Sequence, residues 1–482
     1  MNHFINLLEK YAAVSGNAEA IISGSEIITY SRLNVLVNQT ASGLLSMGLK
    51  QGSKVAVLSS NNSSFIILVL ALWKIAAVPM PLNTRLLPSE IQNILNRFHP
   101  DCFFIHENII SSFKDSSGAV QFPFGINSKK ITVPRQMQND EAVIIFTSGT
   151  AGNPKGVTLT FNNLINNCIS GNNAILQFPG DKWLLSLPVF HIGGFSIIAR
   201  ALYFGTSIAI PNSVKADDII DAINKYNPTH ISLVPTQLKR ILENGIKPNA
   251  AQKSVLVGGG PTENDLILSA YNAGWKVIKV YGSTETTAFI TALPREDFLQ
   301  NYGSVGKPLK GTEIKIVKSA DFIYNEEYGE IHIKSPSVMK YYLYNEEETY
   351  AKIKDGFYNS GDIGYLDKNG FLYIESRRTD LIISGGENIN PLEVERVLAQ
   401  HPNISSVCVF ALNDKEWGQC VAAAVMVKEN ALLSELEITD YLSGKLASYK
   451  IPKKVFFTNT FPLTSLGKIK RQEVANSYNS KS

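Results

Sequence analysis

The chain has 482 residues, of which 44% are hydrophobic and 18% charged, and its formal net charge at pH 7 is +3. A chain of this length exceeds what one hydrophobic core usually supports, so we expect two or more domains. The small net charge gives no electrostatic footprint of nucleic-acid binding, and we expect no nucleic-acid partner.

The cysteines and the start of the chain bear on where the protein works. The four cysteines are scattered and form no CxxC pair, which predicts buried thiols rather than disulfides or metal ligands. The first ten residues lack the basic start and apolar block of a signal peptide. The most apolar stretch, residues 65–82, contains Lys74 and ends with Pro79 and Pro81, which predicts a buried helix and a strand rather than a membrane span. We therefore expect a cytoplasmic protein.

Short apolar segments typical of strands alternate with helical patterns through the first three quarters of the chain. The predicted strands lie at residues 54–58, 101–105, 141–146, 206–210, 230–234, 254–257 and 277–281, and two of the predicted helices lie at 216–225 and 237–242. Such alternation predicts an α/β fold, with a large N-terminal domain of mostly parallel sheets flanked by helices.

The pattern changes near residue 370. A turn at Asn369-Gly370 and a short strand at 371–374 precede a polar run at 376–380. Strands are then predicted at 407–411 and 421–427, and helices from Pro391 and over 434–443. These elements predict a small, mobile α+β C-terminal domain. We therefore divide the chain into residues 1–376 and 377–482, with the polar run as the hinge.

A glycine-rich segment, TSGTAGNPKG at residues 147–156, follows the predicted strand at 141–146. Backbone N–H groups turned toward one point, together with hydroxyls and Lys155, suit phosphate oxygens. It is not a Walker A loop, because Gly156 follows the lysine where that loop has a Ser or Thr. An ordinary Gly/Ser turn is the alternative.

A second polar segment, YGSTE at residues 281–285, follows the strand predicted to end there. Ligands collect at the C-terminal ends of strands in open α/β sheets. Tyr281 offers a flat face for a base, Thr284 a hydroxyl, and Glu285 an oxygen ligand for Mg²⁺. A capped helix start is the alternative. Three glycines at 258–260 follow another predicted strand. They are a candidate ligand-binding turn, and an ordinary tight strand-to-helix turn is the alternative.

Two further segments offer chemistry nearer the C-terminus. Asp362, in YNSGD at residues 358–362, can accept hydrogen bonds from ribose hydroxyls, and a solvated turn aspartate is the alternative. The pair Gly385-Gly386 would let a ligand pass close to the backbone, and a glycine cap or hairpin turn is the alternative.

Together and in this order, these segments resemble the motifs of the adenylate-forming superfamily: acyl- and aryl-CoA ligases, luciferases and peptide-synthetase adenylation domains. The resemblance runs from about Tyr30 to Lys468. It implies that a small carboxylic acid reacts with ATP and Mg²⁺ to give an acyl-adenylate and pyrophosphate. Coenzyme A then displaces AMP to give a thioester.

The resemblance also implies roles for particular residues. The implied catalytic residues are Lys468, Glu285, Thr147 and His191, and the implied magnesium ligands are Glu285 and Thr147. The implied nucleotide contacts are Thr147, Ser148, Gly149, Thr150, Lys155, Gly259, Gly260, Pro261, Tyr281, Gly282, Thr284, Asp362, Arg377 and Lys468. The implied coenzyme A loop is Ser384, Gly385 and Gly386. The hinge position is Thr379, where relatives usually have Asp or Lys, and Leu466 stands where Ser or Thr is more usual.

Three segments, at residues 187–195, 230–238 and 303–309, are similar to o-succinylbenzoate–CoA ligases of the menaquinone pathway. That substrate is a dicarboxylate, and its second carboxylate requires a cationic or multi-donor partner. Arg200, at the spacing from His191 found in that group, is the candidate, and Ser232 is a second. Gly258 is also assigned to the substrate side. A surface arginine and a packed histidine are the alternatives for Arg200 and His191.

Other functions remain open. The chain can instead be another aryl- or medium-chain acyl-CoA ligase, or an adenylating enzyme that loads a carrier protein. A non-catalytic nucleotide-binding protein is harder to reconcile with Thr147, Glu285, Asp362 and Lys468 together. By analogy with relatives, a homodimer is expected.

Overall fold

The structure is a computed structural model that describes residues 3–110, 119–122, 140–147, 154–260, 262–318, 328–377, 381–429, 431–462 and 469–479. The chain divides into two compact units. The first comprises residues 1–84, 98–146 and 156–376, and the second comprises residues 85–97, 147–155 and 377–482.

The described helices are distributed along the whole chain. They are α1 (His3–Val14), α2 (Tyr30–Ser46), α3 (Ser63–Lys74), α4 (Pro88–Phe98), α5 (Glu107–Ile110), α6 (Phe161–Ile175), α7 (Ile192–Phe204), α8 (Ala216–Tyr226), α9 (Pro235–Glu243), α10 (Asn264–Asn272), α11 (Arg295–Phe298), α12 (Glu346–Lys352), α13 (Pro391–Leu398), α14 (Glu435–Leu442) and α15 (Arg471–Asn479). Single 3₁₀ turns occur at Thr284–Thr286 and Ser448–Lys450.

The described strands alternate with the helices in the first half of the chain. These are β1 (Glu19–Ser23), β2 (Glu26–Thr29), β3 (Lys54–Leu58), β4 (Val78–Leu82), β5 (Cys102–His106), β6 (Ala119–Phe122), β7 (Glu141–Thr147), β8 (Lys155–Thr160), β9 (Lys182–Leu184), β10 (Ser207–Ile210), β11 (His230–Leu233), β12 (Ser254–Val257) and β13 (Val277–Tyr281).

Strands dominate the second half. They are β14 (Thr291–Leu293), β15 (Lys307–Pro308), β16 (Glu313–Val317), β17 (Gly329–Lys334), β18 (Tyr341–Tyr342), β19 (Ile353–Lys354), β20 (Phe357–Leu366), β21 (Leu372–Arg377), β22 (Ile382–Ser384), β23 (Glu387–Ile389), β24 (Ile404–Asp414), β25 (Gly418–Val427) and β26 (Lys454–Phe457).

The largest sheet of the first unit has the strand order β15-β14-β13-β12-β11-β9-β10-β1-β2. Its strands from β13 to β1 are parallel, and β2, β14 and β15 add antiparallel edges. A second sheet, β4-β3-β5-β6, is parallel throughout. Parallel sheets need crossover connections, which the intervening helices supply.

The largest sheet is buried on both faces. In β1, Ile21 belongs to one hydrophobic cluster and Ile22 to another, and in β10 the same holds for Ile208 and Ala209. Successive side chains of a strand point to opposite faces, so the two clusters lie on opposite faces of the sheet. Burial on both faces explains why the sequences of these strands are almost continuously apolar.

Later strands of the first unit form an antiparallel sheet of order β16-β17-β20-β19, with β21 also paired to β20. A small sheet has the strand order β18-β8-β7, in which Tyr341 and Tyr342 of β18 pair with Thr158 and Val157 of β8. The antiparallel sheet departs from the predicted parallel pattern. Its sequence signal is the alternation of charged and apolar residues in β16, which is typical of strands with one solvated face.

The second unit contains the sheet β23-β22-β25-β24, with β26 parallel to β25. In β24, Val409 packs with α13 and α14, whereas its neighbours Cys408 and Phe410 pack with Val474 of α15. Helices therefore cover both faces of this sheet, as the predicted α+β pattern requires.

Most predicted elements are confirmed, with small differences at their ends. Helix α3 begins two residues before the predicted Phe65, because the Asn62 side chain accepts a 2.8 Å hydrogen bond from the Phe65 N–H and caps the helix there. The strand predicted at 371–374 is too short: β21 continues to Arg377, into the polar run.

The described helices include none that is both long and apolar enough to cross a membrane. All four cysteines lie in described ranges, and no disulfide joins them. Cys168, Cys408 and Cys420 are buried and Cys102 is half-buried.

Candidate active site

The segments YGSTE (281–285) and YNSGD (358–362) are joined by a hydrogen bond between Tyr281 and Asp362. Tyr281 ends β13, and its hydroxyl donates a 2.5 Å hydrogen bond to the Asp362 carboxylate on β20. Asp362 is only 5% exposed, so the alternative of a solvated turn aspartate is wrong. Gly282 allows the backbone to pass close to residue 288, since a Cβ at this position would lie 1.8 Å from the Ala288 carbonyl oxygen.

Glu285 stands in the 3₁₀ turn that follows β13. The Ser283 N–H donates to the Thr286 hydroxyl and caps this turn. The alternative predicted for this segment, a capped helix start, is therefore present as a single 3₁₀ turn that contains Glu285. The Glu285 carboxylate is half-buried and accepts a 2.9 Å hydrogen bond from the Tyr342 hydroxyl. Within the described ranges, no basic side chain forms a salt bridge with it.

This environment fits a divalent cation. Mg²⁺ takes oxygen ligands and is commonly held by one or two carboxylates together with substrate phosphates, rather than by a cage of protein ligands. Among the described residues there is no cluster of three His, Cys, Asp or Glu side chains suited to a metal. A single half-buried carboxylate without a basic partner is what such a site needs from the protein.

The glycines at 258–260 form a tight turn between β12 and α10. The Gly258 N–H donates to the Leu233 carbonyl at 3.2 Å, and a Cβ on Gly258 would lie 2.8 Å from the Val280 carbonyl oxygen. Gly259 has a φ of +79°, which favours glycine. The turn and an adenine-binding role for Gly259 and Gly260 are compatible. Pro261 lies outside the described residues.

The described parts of the glycine-rich segment are its two ends. Thr147 is the last residue of β7, and Lys155 is the first residue of β8; both are half-buried. The predicted phosphate-binding residues Ser148, Gly149 and Thr150 lie outside the described residues. The predicted strand before this segment is confirmed, with Ile144 and Ile145 fully buried.

Arg200 lies in α7, which is helical as predicted, but it is not a surface arginine. It is 2% exposed, and its Nη2 donates a 2.8 Å hydrogen bond to the Ser196 hydroxyl one turn earlier. Its Cζ lies 5.4 Å from the Trp183 ring centroid and 5.2 Å from that of Phe289. Among the described residues, Nε and Nη1 have no hydrogen-bond partner. The surface alternative is therefore wrong.

The charge of Arg200 persists despite its burial. Desolvation lowers the pKa of the guanidinium to about 10, which still leaves it protonated at neutral pH. Desolvating an ion costs several kcal/mol, and cation–π contacts return only part of that. No carboxylate forms a salt bridge with Arg200 among the described residues. A buried cation with two uncommitted N–H-bearing nitrogens is suited to an anionic ligand.

His191 and Gly194 lie at the N-terminal end of α7, and Ser232 lies in β11. His191 is the N-cap residue of α7, is half-buried, and lies edge-to-face with Phe190 at 4.7 Å. Gly194 is needed there, because a Cβ would lie 2.2 Å from the Pro188 carbonyl oxygen. Ser232 is buried in β11, where its carbonyl accepts a hydrogen bond from the Ser186 hydroxyl.

The predicted coenzyme A loop is a two-residue hairpin turn. Ser384 of β22 pairs with Glu387 of β23, and the two glycines between them have φ values of +56° and +87°. Such a turn needs positive φ at both positions. A Cβ on Gly385 would lie 2.6 Å from the Trp417 ring, so this glycine is required by close packing as well.

Three predicted positions cannot be compared with the structure. Lys468, Thr379 and Leu466 lie outside the described residues. Arg377 is described in its backbone alone, as the last residue of β21.

Sequence reasoning missed several side chains that contact the predicted ones. They are Tyr342 at Glu285, Ser196, Trp183 and Phe289 at Arg200, and Trp417 at Gly385. Ser196 had a local signal, since it precedes Arg200 by four residues on a predicted helix. The others come from distant segments, and their spacing in the sequence carries no such signal.

Comparisons with known proteins identify the family. Residues 8–343 match the AMP-binding enzyme family, and residues 393–468 match the AMP-binding enzyme C-terminal domain. A 2-succinylbenzoate–CoA ligase from Bacillus licheniformis is 33% identical over 97% of this chain and 99% of its own length.

Solved structures of o-succinylbenzoate CoA synthetase from Bacillus subtilis are also similar. A double mutant bound to the product analogue OSB-NCoA has a TM-score of 0.91, with 32% identity over 98% of each chain. The complex with the acyl-adenylate OSB-AMP has a TM-score of 0.74, with 32% identity over 97% of each chain. The complex with ATP and magnesium has a TM-score of 0.73, with 31% identity over 97% of this chain and 98% of the other. The chain therefore belongs to the AMP-binding enzyme family.

Proposed function

We propose that the chain is an AMP-forming acid–thiol ligase that converts 2-succinylbenzoate into 2-succinylbenzoyl-CoA, a step of menaquinone biosynthesis. Its substrates would be the acid, ATP and coenzyme A, with Mg²⁺ as the metal. Family membership supports the reaction class. The observation that carries the substrate is the buried, incompletely bonded guanidinium of Arg200.

The substrate has two carboxylates with different needs. The succinyl carboxylate reacts, and it needs no general base because it is already ionised at pH 7. The aromatic carboxylate stays charged and must be compensated wherever it is buried. Arg200 would compensate it, held in place by Ser196 and by the Trp183 and Phe289 rings. Ser232, Gly258 and His191 would complete the acid site.

Adenylate formation brings two anions together, the carboxylate and the α-phosphate of ATP. Magnesium bound through Glu285 and Thr147 would supply positive charge to the phosphates. Among the chain's own residues, Lys155, Lys468 and the N–H groups at 148–150 would stabilise the charge that develops in the transition state. Tyr281, Gly282, Thr284, Gly259, Gly260 and Pro261 would hold the base and sugar region, with Asp362 and Arg377 on the ribose.

Thioester formation needs different surroundings, because a thiol must reach the adenylate as AMP leaves. We assign the pantetheine passage to the turn at Ser384, Gly385 and Gly386. The second domain, residues 377–482, would pivot at Thr379 and present Lys468 in the first step and this turn in the second. ATP and coenzyme A as co-substrates support a cytoplasmic location, and a homodimer remains our expectation for the assembly.

The decisive experiment measures AMP and pyrophosphate release from ATP, Mg²⁺ and coenzyme A with a panel of acids. The panel contains 2-succinylbenzoate, benzoate, succinate, octanoate, 4-coumarate and 4-oxo-4-phenylbutanoate. The last acid is the matched control, because it is the proposed substrate without its aromatic carboxylate. We expect coenzyme A-dependent turnover of 2-succinylbenzoate with a kcat/KM far above that of every other acid in the panel.

Two results would contradict the proposal in different ways. Preferred turnover of a monocarboxylate would retain the ligase chemistry and discard the dicarboxylate site. Release of pyrophosphate without transfer to coenzyme A, but with transfer to a carrier-protein thiol, would instead indicate a carrier-loading enzyme.

A further inference from the structure

We infer that the Tyr342 phenol positions the Glu285 carboxylate for a divalent cation through a hydrogen bond to one of its oxygens. The inference deepens the proposed function and rests on it in one respect, that Glu285 is a magnesium ligand. Tyr342 acts through Glu285, so it is a positioning residue.

The Tyr342 phenol is buried, with only 3% of the residue exposed. Its hydroxyl donates a 2.9 Å hydrogen bond to Oε1 of Glu285. A phenol has a single proton, so Tyr342 commits that proton to the ionised carboxylate.

The backbone of Glu285 is also fixed. Its carbonyl oxygen accepts a 2.7 Å hydrogen bond from the Met339 N–H, and its turn is closed by Ser283 and the fully buried Thr286. The main chain of Glu285 is thus fixed. The rotation about its last side-chain bond, which is intrinsically broad for a glutamate, decides where the two carboxylate oxygens lie.

The hydrogen bond from Tyr342 restricts that rotation. With Oε1 bound to Tyr342, the other oxygen, Oε2, has no hydrogen-bond partner among the described residues and is the atom available to a cation. Outer hydrogen bonds of this kind orient ligating carboxylates and commonly contribute 10–100-fold to metal affinity. Phenols suit the role, because they are neutral and do not compete with the cation as a lysine or arginine would.

The test measures metal binding directly, with Mn²⁺ in place of Mg²⁺. Free Mn²⁺ is followed by electron paramagnetic resonance while it is titrated into protein and ATP, and ATP binding is measured separately in EDTA. We expect Tyr342→Phe to raise the Mn²⁺ dissociation constant about tenfold, with metal-free ATP binding unchanged. High Mg²⁺ should restore turnover of Tyr342→Phe.

Tyr341→Phe is the matched control. Tyr341 is the neighbouring residue on β18, and its hydroxyl also donates to a carboxylate, that of Glu141. We expect this variant to bind Mn²⁺ as the unaltered chain does.

Glu285→Gln separates the inference from its premise. If Glu285→Gln loses Mn²⁺ while Tyr342→Phe keeps the original affinity, the positioning role of Tyr342 is overturned and the metal ligand stands. If Glu285→Gln itself keeps the original affinity, the assigned metal ligand fails, and the role of Tyr342 fails with it. Neither result depends on which acid the enzyme uses.

Discussion

The Tyr281 hydroxyl donates a 2.5 Å hydrogen bond to Oδ2 of Asp362, although the two residues are separated by 81 positions in the chain. The bond connects the end of a strand in the large, mostly parallel sheet with a strand of the antiparallel sheet. It thereby brings together two motifs that were each assigned to the nucleotide on separate grounds.

Tyr281→Phe should weaken ATP binding. Without the hydroxyl, the buried Asp362 carboxylate loses a charge-assisted hydrogen bond, a class worth about 1.5–3 kcal/mol. We expect the KM for ATP to rise about tenfold or more, since 1.4 kcal/mol is a factor of ten. The KM for the acid should stay the same, as measured by pyrophosphate release at saturating levels of the other substrates.

Tyr302→Phe is the control for this variant. Tyr302 is 50% exposed and donates a 2.7 Å hydrogen bond to Asp265, so it loses a similar bond away from the proposed site. An equal rise in the KM for ATP in both variants would show that Tyr281 has no particular role.

Arg200→Met should abolish the preference for a dicarboxylate. Removing one partner of a buried ion pair costs about 3–5 kcal/mol, so kcat/KM for 2-succinylbenzoate should fall at least about a hundredfold. The value for 4-oxo-4-phenylbutanoate, which has no aromatic carboxylate, should hold or rise. Arg200→Lys should recover part of the loss, because it restores the charge without the planar fork.

Stability gives a second readout for Arg200. In the absence of substrate its charge is buried and incompletely bonded, so Arg200→Met should not lower the thermal unfolding midpoint. Arg240→Met, which removes an exposed arginine of α9, is the control for a general effect of the substitution. A parallel loss of activity toward both acids would indicate a structural role instead.

Gly385→Ala should impair the second half-reaction. A Cβ there would lie 2.6 Å from the Trp417 ring, and the φ of +56° disfavours other residues. We expect slower thioester formation from supplied acyl-adenylate, with adenylate formation unchanged. Lys468→Ala should do the reverse, because it removes the proposed catalytic lysine of the first step.

Gly444→Ala controls for backbone strain in this experiment. Gly444 has a similar φ of +78°, but a Cβ there would meet nothing within 4 Å. If both alanine variants slow thioester formation alike, strain rather than the turn would be responsible.

Acid should destabilise the protein through His230. This residue is fully buried, bonded to the Ser254 hydroxyl and stacked on Trp183, and burial lowers its pKa to about 4. In the unfolded chain its pKa is about 6.5. As the pH falls below about 6.5, the unfolded chain gains a proton that the folded chain does not bind until about pH 4. Stability is therefore lost across that window, by about 3 kcal/mol in total.

Urea unfolding between pH 7 and 4 measures this loss. His230→Asn should flatten the dependence in that window, whereas His99→Asn, which removes an exposed histidine with a φ of +43°, should leave it as it was. An unchanged slope in His230→Asn would exclude His230 as the source.

The sequence was most informative where a property depends on near neighbours in the chain. The strands β3, β12 and β13 have the predicted bounds, because short apolar runs and the polar turns that end them are local features. The hairpin turn at Gly385-Gly386 was one of the alternatives that the glycine pair offered, again from local features. The antiparallel strands β16 and β17 were missed, although β16 alternates charged and apolar residues.

Burial was harder to foresee than secondary structure. The sequence left Arg200 between a surface residue and a buried ligand partner, because its helix, α7, gives no polar face that would settle the question. Arg200 is buried because Trp183 and Phe289, which lie outside α7, pack against its guanidinium.

By itself, the sequence determined the order and local shape of the motifs, and with them the family and the chemistry proposed for it. The tertiary structure decided which distant side chains complete each motif: Asp362 at Tyr281, and Tyr342 at Glu285, 57 residues away. The reason is physical. A turn or a strand is set by interactions within a few residues, whereas these hydrogen bonds exist only after the order of strands within and between sheets has brought the segments together.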